Sequence, residues 1–184
     1  MTRAVFIEGE RINLVPLTGD DAEACFVWLN DMAITVDLGQ EPLPAGLDRQ
    51  REYLKEMYAH TQKNRLILGI QLKGDGSLIG TGGLSHIEWV NQRAELTLYI
   101  GQKDQQGKGY GTEATRLILD HAFRKLNLHS VMLRAIDYNA AAIACYRKCG
   151  FKLIGRRREA KIIDNQHFDV LYMDILASEY LAAG

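Results

Sequence analysis

The chain has 184 residues, 47% of them hydrophobic, with 22 basic against 23 acidic side chains, a balance that suits one domain (1–184) with a continuous core. The near-zero net charge excludes the global positive field that gathers nucleic acid, and no apolar run approaches the ~18 residues that a membrane span requires. With no basic and apolar leader pattern, and with three cysteines (Cys25, Cys145, Cys149) that do not make a disulfide framework, a cytoplasmic protein with reduced thiols is expected.

Residues Arg11 to Pro16 alternate as a short strand, and Thr18-Gly19-Asp20-Asp21 offers capping side chains to an amphipathic stretch ending near Asn30. Around Pro42 and Pro44, the segment from Asp37 to Leu47 reads as an irregular loop before a helix from Asp48 to about His60. Arg65 to Leu72, the turn Lys73-Gly74-Asp75-Gly76 and Ser77 to about Trp89 make a hairpin. Gly80, Gly82 and Gly83 in its second strand point to a bulge or to close packing.

A strand from Arg93 to Gly101 then leads to the run Gln106-Gly107-Lys108-Gly109-Tyr110-Gly111-Thr112. The helix after it, from about Gly111 to Lys125, carries Ala114, Leu117, Ile118, His121 and Ala122 on one face. Ser130 to Ile136 is an apolar strand ended by Asp137-Tyr138-Asn139, and Ala140 to Cys149 is an alanine-rich helix closed by Gly150. Phe151 to Ile163 and His167 to Leu176 join through Asp164-Asn165-Gln166 as a terminal hairpin. The order βα, α, ββ, βα, βα, ββ predicts a mixed-sheet α/β (α+β) fold without repeats or linkers.

The glycine run is the most informative stretch. A strand, a turn with glycines at alternate positions and a helix start make an anion cradle, because backbone N–H groups approach an oxyanion unhindered and the helix adds unpaired donors and a partial positive charge. Neither the Walker spacing nor the dinucleotide fingerprint occurs. No metal site is expected: Cys145 and Cys149 lack a second pair, and the five histidines are scattered.

Two separated motifs agree with one another, and on them the chain resembles the GCN5-related N-acetyltransferase (GNAT) family over nearly its whole length. The first is Gln106-x-x-Gly109-x-Gly111; the second is Asn139-x-x-Ala142-x-x-x-Tyr146-x-x-x-Gly150-Phe151. Arg11-Ile12-Asn13-Leu14-Val15-Pro16-Leu17 with Asp20-Asp21, and the closing Arg158-Glu159 to Asp169-Val170 hairpin, resemble the branch of ribosomal-protein N-terminal and spermidine acetyltransferases. One departure is the stretch from Gly101 to Gln106, a residue longer than the usual connection.

The resemblance implies a mostly antiparallel central sheet of about seven strands flanked by about four helices, splayed between the Arg93–Gly101 and Ser130–Ile136 strands around the donor. It implies acetyl-CoA as cosubstrate, with backbone amides of Gln106, Gly107, Lys108, Gly109, Tyr110, Gly111 and Thr112 on its pyrophosphate. A bulged Leu98-Tyr99-Ile100 stretch offers an N–H to the thioester carbonyl. Tyr146 is the implied general acid, and a homodimer is implied as well. Asn139 either contacts the cofactor arm or caps its helix, or does both.

Transfer to an amine also needs a proton acceptor. Alternation puts Glu95, Thr97 and Tyr99 on one strand face, so Glu95 is the candidate base, with Glu159 and Glu88 in reserve. From Asp20 to Glu56, nine acids (Asp20, Asp21, Glu23, Asp31, Asp37, Glu41, Asp48, Glu52, Glu56) face three bases (Arg49, Arg51, Lys55), either as a solvated surface or as a lure for a cationic amine. The opposite bias in Arg147, Lys148, Lys152, Arg156, Arg157, Arg158 and Lys161 offers a 3′-phosphate contact rather than a nucleic-acid patch. The expected acceptor is a protein N-terminal amine; a polyamine such as spermidine, an amino sugar or an aminoglycoside fits the same chemistry. The cysteines lack an evident histidine partner, so no acyl-enzyme is expected, and a non-catalytic acetyl-CoA-binding module is the alternative from another class.

Overall fold

The computed structural model describes residues 3–38, 43–59 and 64–183, with the backbone alone at 57–59 and 183. Strands form where apolar residues alternate: β1 (Ile7–Glu8), β2 (Ile12–Val15), β3 (Leu66–Leu72), β4 (Leu78–Glu88), β5 (Arg93–Ile100), β6 (Ser130–Ile136), β7 (Lys152–Ile163) and β8 (Gln166–Leu176). Between them lie α1 (Ala22–Leu29), α2 (Met32–Asp37), α3 (Leu47–Ala59), α4 (Tyr110–Arg124), α5 (Ala140–Lys148) and α6 (Ala177–Ala183). Thr18 opens a 3-10 turn (Gly19–Asp21) before α1, its N–H donating to the Asp21 carboxylate at 2.6 Å.

The eight strands form one sheet in the order β1-β2-β3-β4-β5-β6-β8-β7. Every neighbouring pair is antiparallel except β5 and β6. That parallel ladder holds only three pairs, Arg93↔Ser130, Ala94↔Val131 and Glu95↔Met132. Past them β5 stays on β4 as far as Ile100, and β6 stays on β8 as far as Ile136, so the sheet opens down its middle. The expected splay lies here.

Helix α4 covers one face. Its buried Ala114, Ile118, Leu119, Ala122 and Phe123 join Ile12, Leu14, Ile70, Leu84, Leu96 and Val131 in the main core. Burying each large aliphatic side chain contributes about 1.5–3 kcal/mol, so this stripe, rather than helix propensity, anchors α4. His121, expected on that face, is half-buried at its edge, against Phe6 at 5.2 Å. Across the sheet, Cys25, Trp28 and Ile34 pack with Tyr99, and Leu17, Ala22 and Leu54 form a second small cluster.

There are eight strands rather than about seven and, among the described residues, six helices rather than about four. The additions are short: β1 has two residues and α2 six, too few for a period to register. Helix α2 fills the stretch between the end of the first expected helix and the expected loop, which it meets only at Asp37; residues 39–42 of that loop lie outside the described residues, as does His60. Both readings of the β4 glycines hold. A Cβ on Gly83 would lie 1.9 Å from the Leu66 carbonyl oxygen and one on Gly80 2.2 Å from that of Tyr99, while the register shifts by one residue opposite Ile70 and Gln71. No helix among the described residues is long and apolar enough to cross a membrane.

Candidate active site

The glycine turn lies at the mouth of the opening between β5 and β6. The extra residue of the Gly101–Gln106 stretch is taken up in a 3-10 turn over Lys103–Gln105. Gln106 then folds back, its side-chain amide donating to the Ile100 carbonyl at 2.8 Å. Gly107 and Gly109 adopt φ of 73° and 86°, left-handed conformations that a side chain would strain, and Gly109 starts α4. Among the described residues, the N–H groups from Gly107 to Thr112 find no acceptor within the chain; the first bond of the helix is Glu113 N–H to the Gly109 carbonyl at 3.1 Å. A row of unpaired donors at a helix N-terminus fits a pyrophosphate.

The turn is braced from behind. One Glu113 carboxylate oxygen accepts the N–H groups of Glu10 (2.9 Å), Arg11 (2.8 Å) and Ile12 (3.3 Å), and the other accepts Arg11 Nε at 3.0 Å. Arg11 continues to the Lys108 carbonyl at 3.0 Å, its guanidinium 4.8 Å above the Tyr110 ring. Partial burial raises the Glu113 carboxyl, but the N–H groups of Arg11 and Ile12 and the guanidinium outweigh that and hold it below its usual range. Arg11 stood out in the sequence only as part of an opening motif; this bracing role had no local signal.

Two cavities meet in the splayed sheet. The first, of about 440 Å³, runs from Gln106, Gly107, Gly109, Gly111 and Thr112 past Leu98 and Ile100 to α5. The second, of about 310 Å³, lies on the side of Glu95, Thr97, Arg157, Lys161 and Tyr172. Both are bordered by Asp37, Leu38, Leu98, Arg134, Ala135, Ile136 and Tyr146. Of the expected trio of backbone donors, two face the opening. Gly101 N–H bonds Ile79 O at 2.8 Å, so alternation points the Tyr99 amide at β4 and the Leu98 and Ile100 amides at the gap. The Tyr99 ring, partly buried, packs edge-on against Trp28 at 6.1 Å. The bulge expected at Leu98 to Ile100 is absent, since β4 and β5 pair regularly there; the irregularity lies between Ser85 and Glu88, where His86 has φ 49°.

Tyr146 is 8% exposed, packed edge-on against Phe151 at 5.9 Å and bordering both cavities. Burial foremost, then the neighbouring Cys145 and Cys149 and the Asp37 charge, push its phenol well above the usual range, so it stays protonated at neutral pH. Asn139 caps α5 by accepting the Ala142 N–H at 3.0 Å. Its amide nitrogen donates to Asp37 at 3.0 Å, and the Tyr138 hydroxyl donates to the other Asp37 oxygen. Glu95 borders the second cavity, held by Arg134 Nε at 2.7 Å, with His86 Nδ1 3.5 Å from its other oxygen. The reserves lie elsewhere: Glu88 pairs with Arg93, and Glu159 stands 3.9 Å from His167.

Cys145 also borders the first cavity, accepting the Thr112 hydroxyl at 3.3 Å. The neighbouring Cys149 foremost holds its thiol below the usual range. Of the seven cations expected near a 3′-phosphate, Lys148 alone borders this cavity; Arg157 and Lys161 border the acceptor side instead. An irregularity in β7 between Arg157 and Lys161, with Glu159 at φ 49°, interrupts the strand alternation among these cations.

Comparison with known proteins agrees with this geometry. The acetyltransferase (GNAT) domain matches residues 11–152. The spermidine N(1)-acetyltransferase of Escherichia coli is 29% identical over 93% of this chain and 89% of its own length. A putative ribosomal N-acetyltransferase of Bacillus subtilis is 33% identical over 58% of this chain and 57% of its own. The Vibrio cholerae spermidine N-acetyltransferase, solved with CoA and spermine, superposes with a TM-score of 0.83 at 28% identity, covering 93% of this chain and 98% of that one. With the anion cradle, the open central sheet and a family match over most of its length, the chain belongs to the GNAT acetyltransferases and is an acetyl-CoA-dependent N-acetyltransferase.

Proposed function

We propose that the protein moves the acetyl group of acetyl-CoA to a primary amine by direct attack in a ternary complex, donor in the first cavity and acceptor in the second. The observation that carries this reading is that Tyr146, buried and protonated, borders both cavities. Gly107 to Thr112 hold the pyrophosphate through backbone N–H groups, and the Leu98 and Ile100 amides face the thioester end, where an N–H polarises the carbonyl. Tyr146 gives its proton to the departing thiolate. Glu95 takes the amine's proton directly or through a water, with Arg134 orienting it and the exposed His86 leading outward to solvent.

The names of the relatives support a polyamine of the spermidine kind as acceptor. A protein N-terminal amine is the second reading, favoured by Arg134, Arg157 and Lys161 on the acceptor side. These cations suit carbonyl or carboxylate groups trailing a single amine better than they suit a polycation. Thiol release with spermidine, spermine, amino sugars and N-terminal peptides at equal concentration decides between them. Absence of release with every amine would sink the enzymatic assignment of these residues.

A further inference from the structure

The geometry points to Asp37 as the residue that receives the acceptor's ammonium group, an assignment that rests on the two-cavity reading above. Nine acids crowd the segment from Asp20 to Glu56, and the structure sorts them. Asp21 pairs with Arg3, Glu23 and Asp48 with Arg51, and Asp31 with Lys103. Asp20, Glu52 and Glu56 are exposed, as Asp37 is, but border neither cavity, and Glu41 lies outside the described residues. Asp37 is the one of the described eight that borders the cavities, and it borders both.

Its surroundings differ from those of Glu95, the other carboxylate of the acceptor cavity. Glu95 has a guanidinium at 2.7 Å, so its charge is already matched. Asp37 is held by neutral donors, the Tyr138 hydroxyl and the Asn139 amide, which orient the carboxylate without cancelling its charge. Asp37 and Tyr146 line both cavities together, so the carboxylate and the proposed acid share the place where donor and acceptor meet. Asp37 also closes α2, where a carboxylate meets the negative end of the helix dipole. The location does not favour the helix itself, so what holds Asp37 in place is its bonds to Tyr138 and Asn139. With Arg134 matched by Glu95, the other cations of the acceptor cavity, Arg157 and Lys161 on β7, border it alone and favour an ammonium toward the Asp37 end.

Asp37→Asn keeps the shape and removes the charge. It is expected to raise the amine KM about tenfold or more, as loss of a charge-assisted contact does, while the acetyl-CoA Kd from calorimetry stays within about twofold. Tyr138→Phe, which removes the orienting hydroxyl and leaves the charge, should shift the amine KM less than Asp37→Asn does. An unchanged amine KM in Asp37→Asn, with the unaltered protein active, overturns the inference. So does an equal rise in acetyl-CoA Kd, or a Tyr138→Phe effect as large, since either would mark a strap rather than an ammonium site. Should Asp37→Asn not fold, Asp37→Glu against Asp37→Gln, alike in shape and different in charge, gives the same reading. No turnover of any amine by the unaltered protein instead refutes the proposed function itself.

Discussion

Replacing Glu113 by Gln tests whether the pyrophosphate turn is set in place before any ligand arrives. The carboxylate accepts three backbone N–H groups on one oxygen and Arg11 Nε on the other. Glutamine keeps one oxygen for the backbone but turns an NH2 toward Arg11, donor against donor. The loss is one charge-assisted bond, about 1.5–3 kcal/mol when buried and toward ~1.5 kcal/mol here because the Arg11 side chain is nearly half exposed. For a chain of this length that lowers Tm by about 3–6 °C. Arg11 also holds the Lys108 carbonyl and the Tyr110 ring, so its release loosens the turn, and acetyl-CoA affinity should fall about tenfold.

The same variant carries a pH signature. The folded Glu113 carboxyl lies below its unfolded value, so its contribution is complete above the unfolded value of about 4.3 and fades as the pH falls through the folded one. The stability gap between the two proteins, measured by denaturant unfolding from pH 7 to pH 3, should therefore narrow in acid. Equal Tm and equal acetyl-CoA Kd would refute the bracing argument, and a gap that widens in acid would refute its electrostatic basis.

Tyr146→Phe should lower kcat by about 100-fold with little change in acetyl-CoA Kd, and unchanged turnover removes the hydroxyl from the mechanism. If Glu95 is the proton acceptor, Glu95→Gln flattens the acidic limb of the pH–rate profile; an unaltered profile assigns the role elsewhere. Cys145, bordering the first cavity with its thiol held below the usual range, should be the first cysteine alkylated by iodoacetamide at pH 7 and should be protected by CoA. Cys25, pushed up to about 11 by burial foremost, should stay unlabelled, and peptide mass mapping that finds Cys25 modified first contradicts that ordering. Gly83→Ala places a methyl group 1.9 Å from the Leu66 carbonyl oxygen and should destabilise the protein by about 3 kcal/mol in denaturant titration. A shift under about 0.5 kcal/mol would mean that β3 and β4 part more easily than their backbones suggest.

What the sequence made legible follows from how local each signal is. Gly107 and Gly109 announce themselves because left-handed backbone at a helix start has few alternatives to glycine. Asn139 and Tyr146 sit two helical turns apart on α5, and that spacing survives in the sequence. The Leu98, Ile100 and Tyr99 amides carry no side-chain signature, and only the bond from Gly101 to Ile79 revealed which of them face the gap. Asp37 was one acid among nine until a six-residue helix brought it across the chain to Tyr138 and Asn139. The Glu113 brace joins residues about a hundred positions apart, a separation at which no periodicity reports. The β7 turn at Glu159 was hidden because a residue with positive φ other than glycine leaves no compositional trace.

The three-residue seam between β5 and β6 has a further consequence. Beyond it, each strand is an unsealed sheet edge, the feature that on a protein's outside invites foreign chains and aggregation. Here the two edges face one another across the cavities of the splayed sheet. A slender guest that is itself extended and carries amide groups can still be stitched in on either side, much as a missing strand would be. An exposed edge that is ordinarily a liability thus becomes, between β5 and β6, a pair of facing rows of backbone donors and acceptors.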